Sequence, residues 1–270
     1  MRTGCVSVAK GTFEPGCINE DSVIYKNNLI AVSDGAGGGG LFAERWSRYL
    51  LDHLPDAPFA DADALDQWIE SIWEPYYTQC EEDAKLLGGL SLDKFYDEGS
   101  FATLIAVWKL SDNECRWVSF GDSVAFHYNY RTRVLEHSFG ALSDFDRPPY
   151  LINCKDELKK EGFKSGVFQT DKDSIVFVAS DALSHYIMMM YEVSKKGEFD
   201  QELTNVLKQQ SKNENYVKMA LNCKKIKFEQ EVITKLCNCI GNAYNLAKHI
   251  QKLLKNGLIA LDDYSFAVMK

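Results

Sequence analysis

Apolar positions in this chain recur at two different periods, and the switches between them divide it. Near the start, VSVA, SVIY and LIAVS are short β-branched runs bounded by turn residues, the pattern of strands. From Leu41 the period lengthens, and LFAERWSRYLLDHL predicts a helix that breaks around Pro55 and Pro58. ADALDQWIESIWEPYYTQCEEDAKLL predicts a second helix, capped by Asp61 or Asp63 and kinked or restarted at Pro75. Strand patterns return in FATLIAVWKL, CRWVSF, SVAFHYNY and RVLEHS, with Asp112-Asn113 as a hairpin turn. Residues 138–166, with Pro148, Pro149 and the charged KDELKKEG, predict an excursion over the surface. SIVFVAS resumes the strand pattern, helices run from about Ala182 to Gly257, and YSFAVM is a closing strand. Strands in runs and helices in runs predict an α+β fold with antiparallel sheets. With no linker and no repeat, a single domain over residues 1–270 is expected.

Composition narrows the function classes. The 270 residues are 46% hydrophobic and 26% charged, enough for a sizeable core. No apolar run reaches the ~18 residues of a membrane helix, and MRTGCVSVAKGTF lacks a secretory h-region. Eight cysteines fall without a paired pattern, so a reduced, cytoplasmic protein with no membrane partner is expected. The net charge of −9 argues against nucleic-acid binding. It is unevenly placed: Ser194 to Lys255 holds twelve lysines against six acids, a local charge of +6. A solvated helical face is the ordinary reading of such a segment, and a docking surface the sharper one.

Four segments share one design, an apolar strand or the approach to one, ending in aspartate: LIAVSDG, WVSFGDS, IVFVASDA and LIALDDYS. One such aspartate, usually a turn or cap residue, means little; four point to acids gathered at a rim. Asp34, Asp122, Asp181 and Asp262 are therefore candidate ligands of hard cations, Mg²⁺ or Mn²⁺, which take oxygen donors. Two such ions ~3.5–4 Å apart clamp a phosphoryl group and acidify a bridging water. Asp34 is followed by Gly35 and by Gly37 to Gly40, a run that admits close backbone approach but lacks the Gly-Lys-Ser/Thr of a Walker loop.

The order of the motifs resembles the metal-dependent serine/threonine protein phosphatases of the PPM family, the type-2C phosphatases, in their bacterial form. The matching pieces are Asn19-Glu20-Asp21-Ser22, Asp34-Gly35-Ala36-Gly37-Gly38, Gly99-Ser100-Phe101-Ala102-Thr103, Gly121-Asp122-Ser123, Ser180-Asp181-Ala182-Leu183 and Asp262-Asp263-Tyr264-Ser265. The resemblance implies a four-layer αββα sandwich, two antiparallel sheets face to face with helices outside. It implies that Asp34 bridges two metals with the Gly35 carbonyl as a further ligand, and that Asp181 and Asp262 complete one site. Glu20 would serve the second metal, Asp21 would orient metal-bound waters, and Asp122 with Asp181 would hold a third ion. The implied catalytic set is thus Asp34, Asp181, Asp262 and Asp21. The implied reaction is hydrolysis of phosphoserine or phosphothreonine in proteins, opposite a serine/threonine kinase.

Departures from the pattern matter. Gly16 stands where the family carries a phosphate-gripping arginine, leaving Arg45 and Lys10 as candidate replacements. Ala36 stands where some members have a histidine, and His127, His137 and His185 are more simply structural. Asp263 replaces a common asparagine and could act as an outer acceptor, and Ala182 replaces a glycine. Residues 138–166 fall where the family's flap lies, and about 194–240 read as an added helical segment. The alternatives are a catalytically silent relative that binds and regulates a phosphoprotein, and a phosphatase of small molecules.

Overall fold

The strand runs are apolar on nearly every residue because both faces of each sheet are covered. The computed structural model describes residues 3–196, 200–208, 214–222 and 226–270. The chain begins with β1 (Gly4–Val8), β2 (Ser22–Lys26) and β3 (Leu29–Ser33), followed by α1 (Ala43–Asp52), α2 (Ala62–Leu87) and α3 (Ser91–Glu98). Next come β4 (Phe101–Ala102), β5 (Leu104–Ser111), β6 (Glu114–Phe120), β7 (Val124–Asn129) and β8 (Val134–His137). The excursion holds β9 (Ile152–Asn153) and ends in β10 (Phe163–Gln169), after which β11 (Ser174–Ala179) leads into α4 (Asp181–Ser194). Helices α5 (Asp200–Lys208), α6 (Glu214–Asn222), α7 (Thr234–Asn238) and α8 (Ala243–Lys255) precede β12 (Tyr264–Met269).

Two five-stranded sheets result, in the orders β1-β12-β11-β7-β8 and β10-β6-β5-β3-β2, with β4 and β9 forming a small third. Every pairing among them is antiparallel. Alternation along the strands sorts the side chains into layers. Ile30, Val32, Ile105 and Val107 of one sheet meet Ala125, Val176, Val178 and Ala267 of the other. The intervening Leu29, Ala31, Leu104 and Ala106 pack beneath Trp46 and Leu50 of α1 and Leu65 and Ile69 of α2. On the opposite side Phe126, Phe177 and Phe266 pack beneath Leu183 and Ile187 of α4 and Leu246 of α8. The expected αββα sandwich of the α+β class is the observed one.

Three local expectations need adjustment. Helix α2 runs unbroken through Pro75, because Leu65, Ile69, Tyr76 and Cys80 are buried on both sides of the missing rung. Its cap is Asp61, whose side chain accepts from the Ala64 amide at 2.9 Å, while Asp63 pairs with Lys160. The end of the excursion is a strand: β10, FKSGVFQ, is polar and glycine-containing because it lies at a sheet edge against β6. The rest of the excursion is tied down, with Trp46 Nε1 donating to the Ile152 carbonyl at 3.0 Å. Asp112-Asn113 does join β5 to β6. Among the described residues no helix is long and apolar enough to cross a membrane.

One buried acid lies far from the strand-end aspartates. Glu192, on α4, is 7% exposed, and its Oε2 has no hydrogen-bond partner among the described residues. Burial, with a smaller push from Glu202, raises its carboxyl to about 8. Its folded-state pKa lies above the unfolded value, so the group favours folding while protonated, and that contribution is lost as the pH rises towards about 8. Glu192→Gln is therefore expected to raise stability by roughly 1–3 kcal/mol at pH 8 and by almost nothing at pH 4.5. Denaturant titrations at the two pH values check this; equal effects at both would contradict it.

Candidate metal centre

Antiparallel pairing decides which strand ends meet. Asp181 follows the C-terminal end of β11, and Asp122 and Asp262 precede the N-terminal ends of its two neighbours, β7 and β12. Antiparallel neighbours run in opposite senses, so these three ends share one edge of the sheet. In the other sheet Asp34 follows β3 and Asp21 precedes β2, again at one edge. The two edges face each other, for Asp34 feels the charges of Asp21, Asp181, Asp122 and Asp262.

Short polar side chains from the same motifs fix the loops. Asp34 donates its amide to Thr103 Oγ1 at 3.1 Å, and its carbonyl accepts the Thr103 amide at 2.8 Å. Thr103 Oγ1 lies 3.1 Å from Ser123 Oγ, next to Asp122. Ser180 Oγ accepts the Ser265 amide at 3.0 Å, tying the Asp181 turn to the Asp262 turn. Gly35 is required by close approach: a Cβ there would stand 2.7 Å from the carbonyl oxygens of both Ala43 and Glu20.

Crowded acids resist ionisation. Burial, then the charges of Asp21 and Asp181, holds Asp34 well above the usual carboxylate range. Asp181 is held high by burial and then by Asp122 and Asp262. Burial, with Asp262 adding, raises Asp122 to about 6. Asp262 is raised by burial, though Lys10 counters part of it. Asp21 is 7% exposed, and neither of its carboxyl oxygens has a hydrogen-bond partner among the described residues. The Ser180 and Ser265 hydroxyls lie close enough to favour its charge but make their hydrogen bonds elsewhere, Ser265 with Ser7. Burial and Asp263 outweigh them and push Asp21 up to about 7. Such a set of oxygen donors, one of them buried without any partner, suits a hard divalent cation. Among the described residues, however, no three Asp, Glu, His or Cys side chains stand in position to hold one ion. The acids are gathered but not drawn together around a point.

Glu20 and its neighbours show what sequence reasoning weighed too lightly. Lys10 Nζ lies 3.0 Å from Glu20 Oε2 and 3.9 Å from Asp263 Oδ2, so a cation of the chain itself stands at the rim of the acid group. Asp263, buried, accepts the backbone amides of Lys10 and Glu20 at 2.7 and 2.8 Å. Its carboxylate holds that loop in place. The sequence offers Lys10 as a candidate cation and Asp263 as an outer acceptor, but not their meeting, because 253 residues separate the two.

The other candidates lie elsewhere. Arg45 is paired with Asp83 and stacked over Phe42. Gly16 has φ +98° with open space around its Cα, so an arginine installed there would be strained. His127 is held between Glu136 Oε2 at 2.6 Å and Ser174 Oγ at 2.8 Å. His137 bonds the Phe139 carbonyl, and His185 is buried beside Phe145.

No family model and no curated protein sequence matches the chain. Solved structures do. The chain is similar to a bacterial serine phosphatase, with 15% identity over 100% of this chain and 98% of that one, at a TM-score of 0.56. It is also similar to the Mycobacterium tuberculosis serine/threonine phosphatase PstP/Ppp, with 17% identity over 99% and 97% of the two chains and a TM-score of 0.54. A catalytic domain of PstP in complex with two manganese ions aligns over 99% and 96%, at 17% identity and a TM-score of 0.51. At these identities the likeness establishes the fold: the chain is built as the PPM-type bacterial serine/threonine phosphatases are.

Proposed function

We propose that the chain is one catalytic domain that hydrolyses phosphoserine and phosphothreonine esters in proteins with the help of Mn²⁺ or Mg²⁺. The observation that carries this reading is the buried, unpartnered Asp21 among carboxyls brought together from both sheets. A buried acidic group of this kind is costly without a cation. Asp34 would serve two ions, with the Gly35 carbonyl as a further ligand; Asp181 and Asp262 would complete one site, Glu20 would serve the second directly or through water, and Asp122 with Asp181 would hold a third. Bound ions would neutralise the phosphoryl oxygens and make an attacking water more acidic. Asp21 would accept a hydrogen bond from that water, and Lys10 would grip the phosphate. The solved neighbours, serine/threonine phosphatases by name, support the substrate class, and with it a kinase as the opposing activity.

A second reading, a silent relative that only binds phosphoproteins, draws on Lys10. Its ion pair occupies Glu20, which must be released to meet a metal. One measurement separates the two. Phosphate release from phosphoserine and phosphothreonine peptides is expected with Mn²⁺ present and is expected to stop in excess EDTA. Peptide binding without turnover at any Mn²⁺ concentration would select the silent relative. Undiminished turnover in EDTA, with bound metal measured as zero, would exclude the metal-dependent reaction.

A further inference from the structure

The excursion that leads to β10 passes the acid group at one residue, Tyr150. Strands β3 and β6 both pair antiparallel with β5, so they run parallel and end at one edge of their sheet. Asp34 follows β3 at that edge, and Phe120-Gly121-Asp122 leaves β6 there. Tyr150 lies against this turn: a Cβ on Gly121, whose φ is +115°, would stand 3.2 Å from the Tyr150 carbonyl oxygen. Two residues on, Ile152 of β9 pairs with Ala102 of β4, and Ala102 bridges to Gly35, next to Asp34. The main chain around Tyr150 is thus held at both the Asp122 turn and the Asp34 turn.

Its side chain has a seat of its own. The ring meets that of Phe120 edge-on, with centroids 6.2 Å apart and planes at 71°. Gly162 lies beneath: a Cβ there would stand 2.6 Å from Cβ and 2.7 Å from Cγ of Tyr150, and 2.8 Å from Phe120 Cζ. Only glycine leaves room for the ring in this position. The tyrosine nonetheless remains 46% exposed. A half-exposed tyrosine is ordinary on a protein surface. One packed on a glycine and a buried phenylalanine, with its backbone fixed at two acid-bearing turns, is a rigid aromatic surface beside the acids. Exposed apolar side chains flank the acids elsewhere too: Ile18, two residues before Glu20, and Leu261, next to Asp262.

We infer that Tyr150 selects phosphoserine substrates that carry an aromatic side chain next to the phosphorylated residue. That side chain packs on the tyrosine ring while the phosphate meets the acid group. Tyrosine suits the task, because it offers a large contact surface and has only two side-chain torsions to fix. The inference rests on the phosphatase reading, which makes phosphorylated serine the group that enters among the acids.

Two phosphoserine peptides, identical but for Phe or Ala on both sides of the phosphoserine, test it on the whole protein with Mn²⁺. The phenylalanine peptide is expected to show a KM about 10-fold lower, with kcat values within about 2-fold of each other. Tyr150→Ala is expected to bring the two KM values within about 2-fold, and Tyr150→Phe to keep the preference. A tyrosine that only supported the fold would change both peptides alike. Should the alanine variant melt lower, Tyr150→Gln, whose stem still covers Phe120, carries the same expectation. Calorimetric titration with the same peptides bearing a non-hydrolysable phosphonate is the second readout, and the same ratios are expected in Kd. The ratios in Kd without any turnover would uphold the inference and sink the phosphatase reading. Turnover with equal KM values, or a preference that survives both Tyr150→Ala and Tyr150→Gln, would overturn the inference alone. Neither turnover nor binding of any peptide would overturn both.

Discussion

Asp34→Asn is expected to lower Mn²⁺-dependent hydrolysis of p-nitrophenyl phosphate at least ~10³-fold, about 4 kcal/mol of transition-state stabilisation. The same change is expected to raise the melting temperature of the metal-free protein. Asp34 is the acid that feels all of the others, Asp21, Asp181, Asp122 and Asp262. Removing its charge relieves repulsion in the absence of metal, on the order of 1–2 kcal/mol, or roughly 2–6 °C for a chain of this size. Its carboxyl is held above the unfolded value, so its folding contribution is lost as the pH rises. The gain in Tm is therefore larger at pH 8 than at pH 5. Opposite signs for activity and stability separate a functional acid from a structural one, for which both would fall. A variant that loses activity and melts lower would make Asp34 a residue of the fold.

Lys10→Met is expected to raise KM for p-nitrophenyl phosphate about 10-fold with kcat nearly unchanged, the loss of binding shared by substrate and transition state. Lys10 is the cation found at the rim, 3.0 Å from Glu20 and 3.9 Å from Asp263. Its charge is secured because Glu20, Asp263 and Asp262 outweigh the burial that opposes it. Arg45 is committed to Asp83 and Gly16 carries no side chain, so neither competes for this role. Methionine keeps most of the aliphatic stem and removes the charge, so a packing effect is largely controlled. Unchanged KM together with tighter Mn²⁺ binding would mean that Lys10 serves only as a counter-ion for Glu20.

Local pattern alone determined the element order. Strands buried on both faces, such as LIAVS and SIVFVA, are apolar throughout, and the helices beside them are amphipathic. The acids were legible for the same reason, because an ionisable residue ending an apolar strand stands out against its neighbours. β10 was not legible: an edge strand exposed to solvent carries no apolar run. Nor could a chain read residue by residue reveal Lys10 at Glu20 or Asp263 under two backbone amides. Lys10 and Glu20 stand only ten residues apart, both between β1 and β2, but Asp263 reaches their backbone from 253 and 243 residues away, a meeting set by strand order. The strand ends carry their aspartates whatever the fold; antiparallel pairing within each sheet, and the stacking of the two sheets, brought five of them to one place.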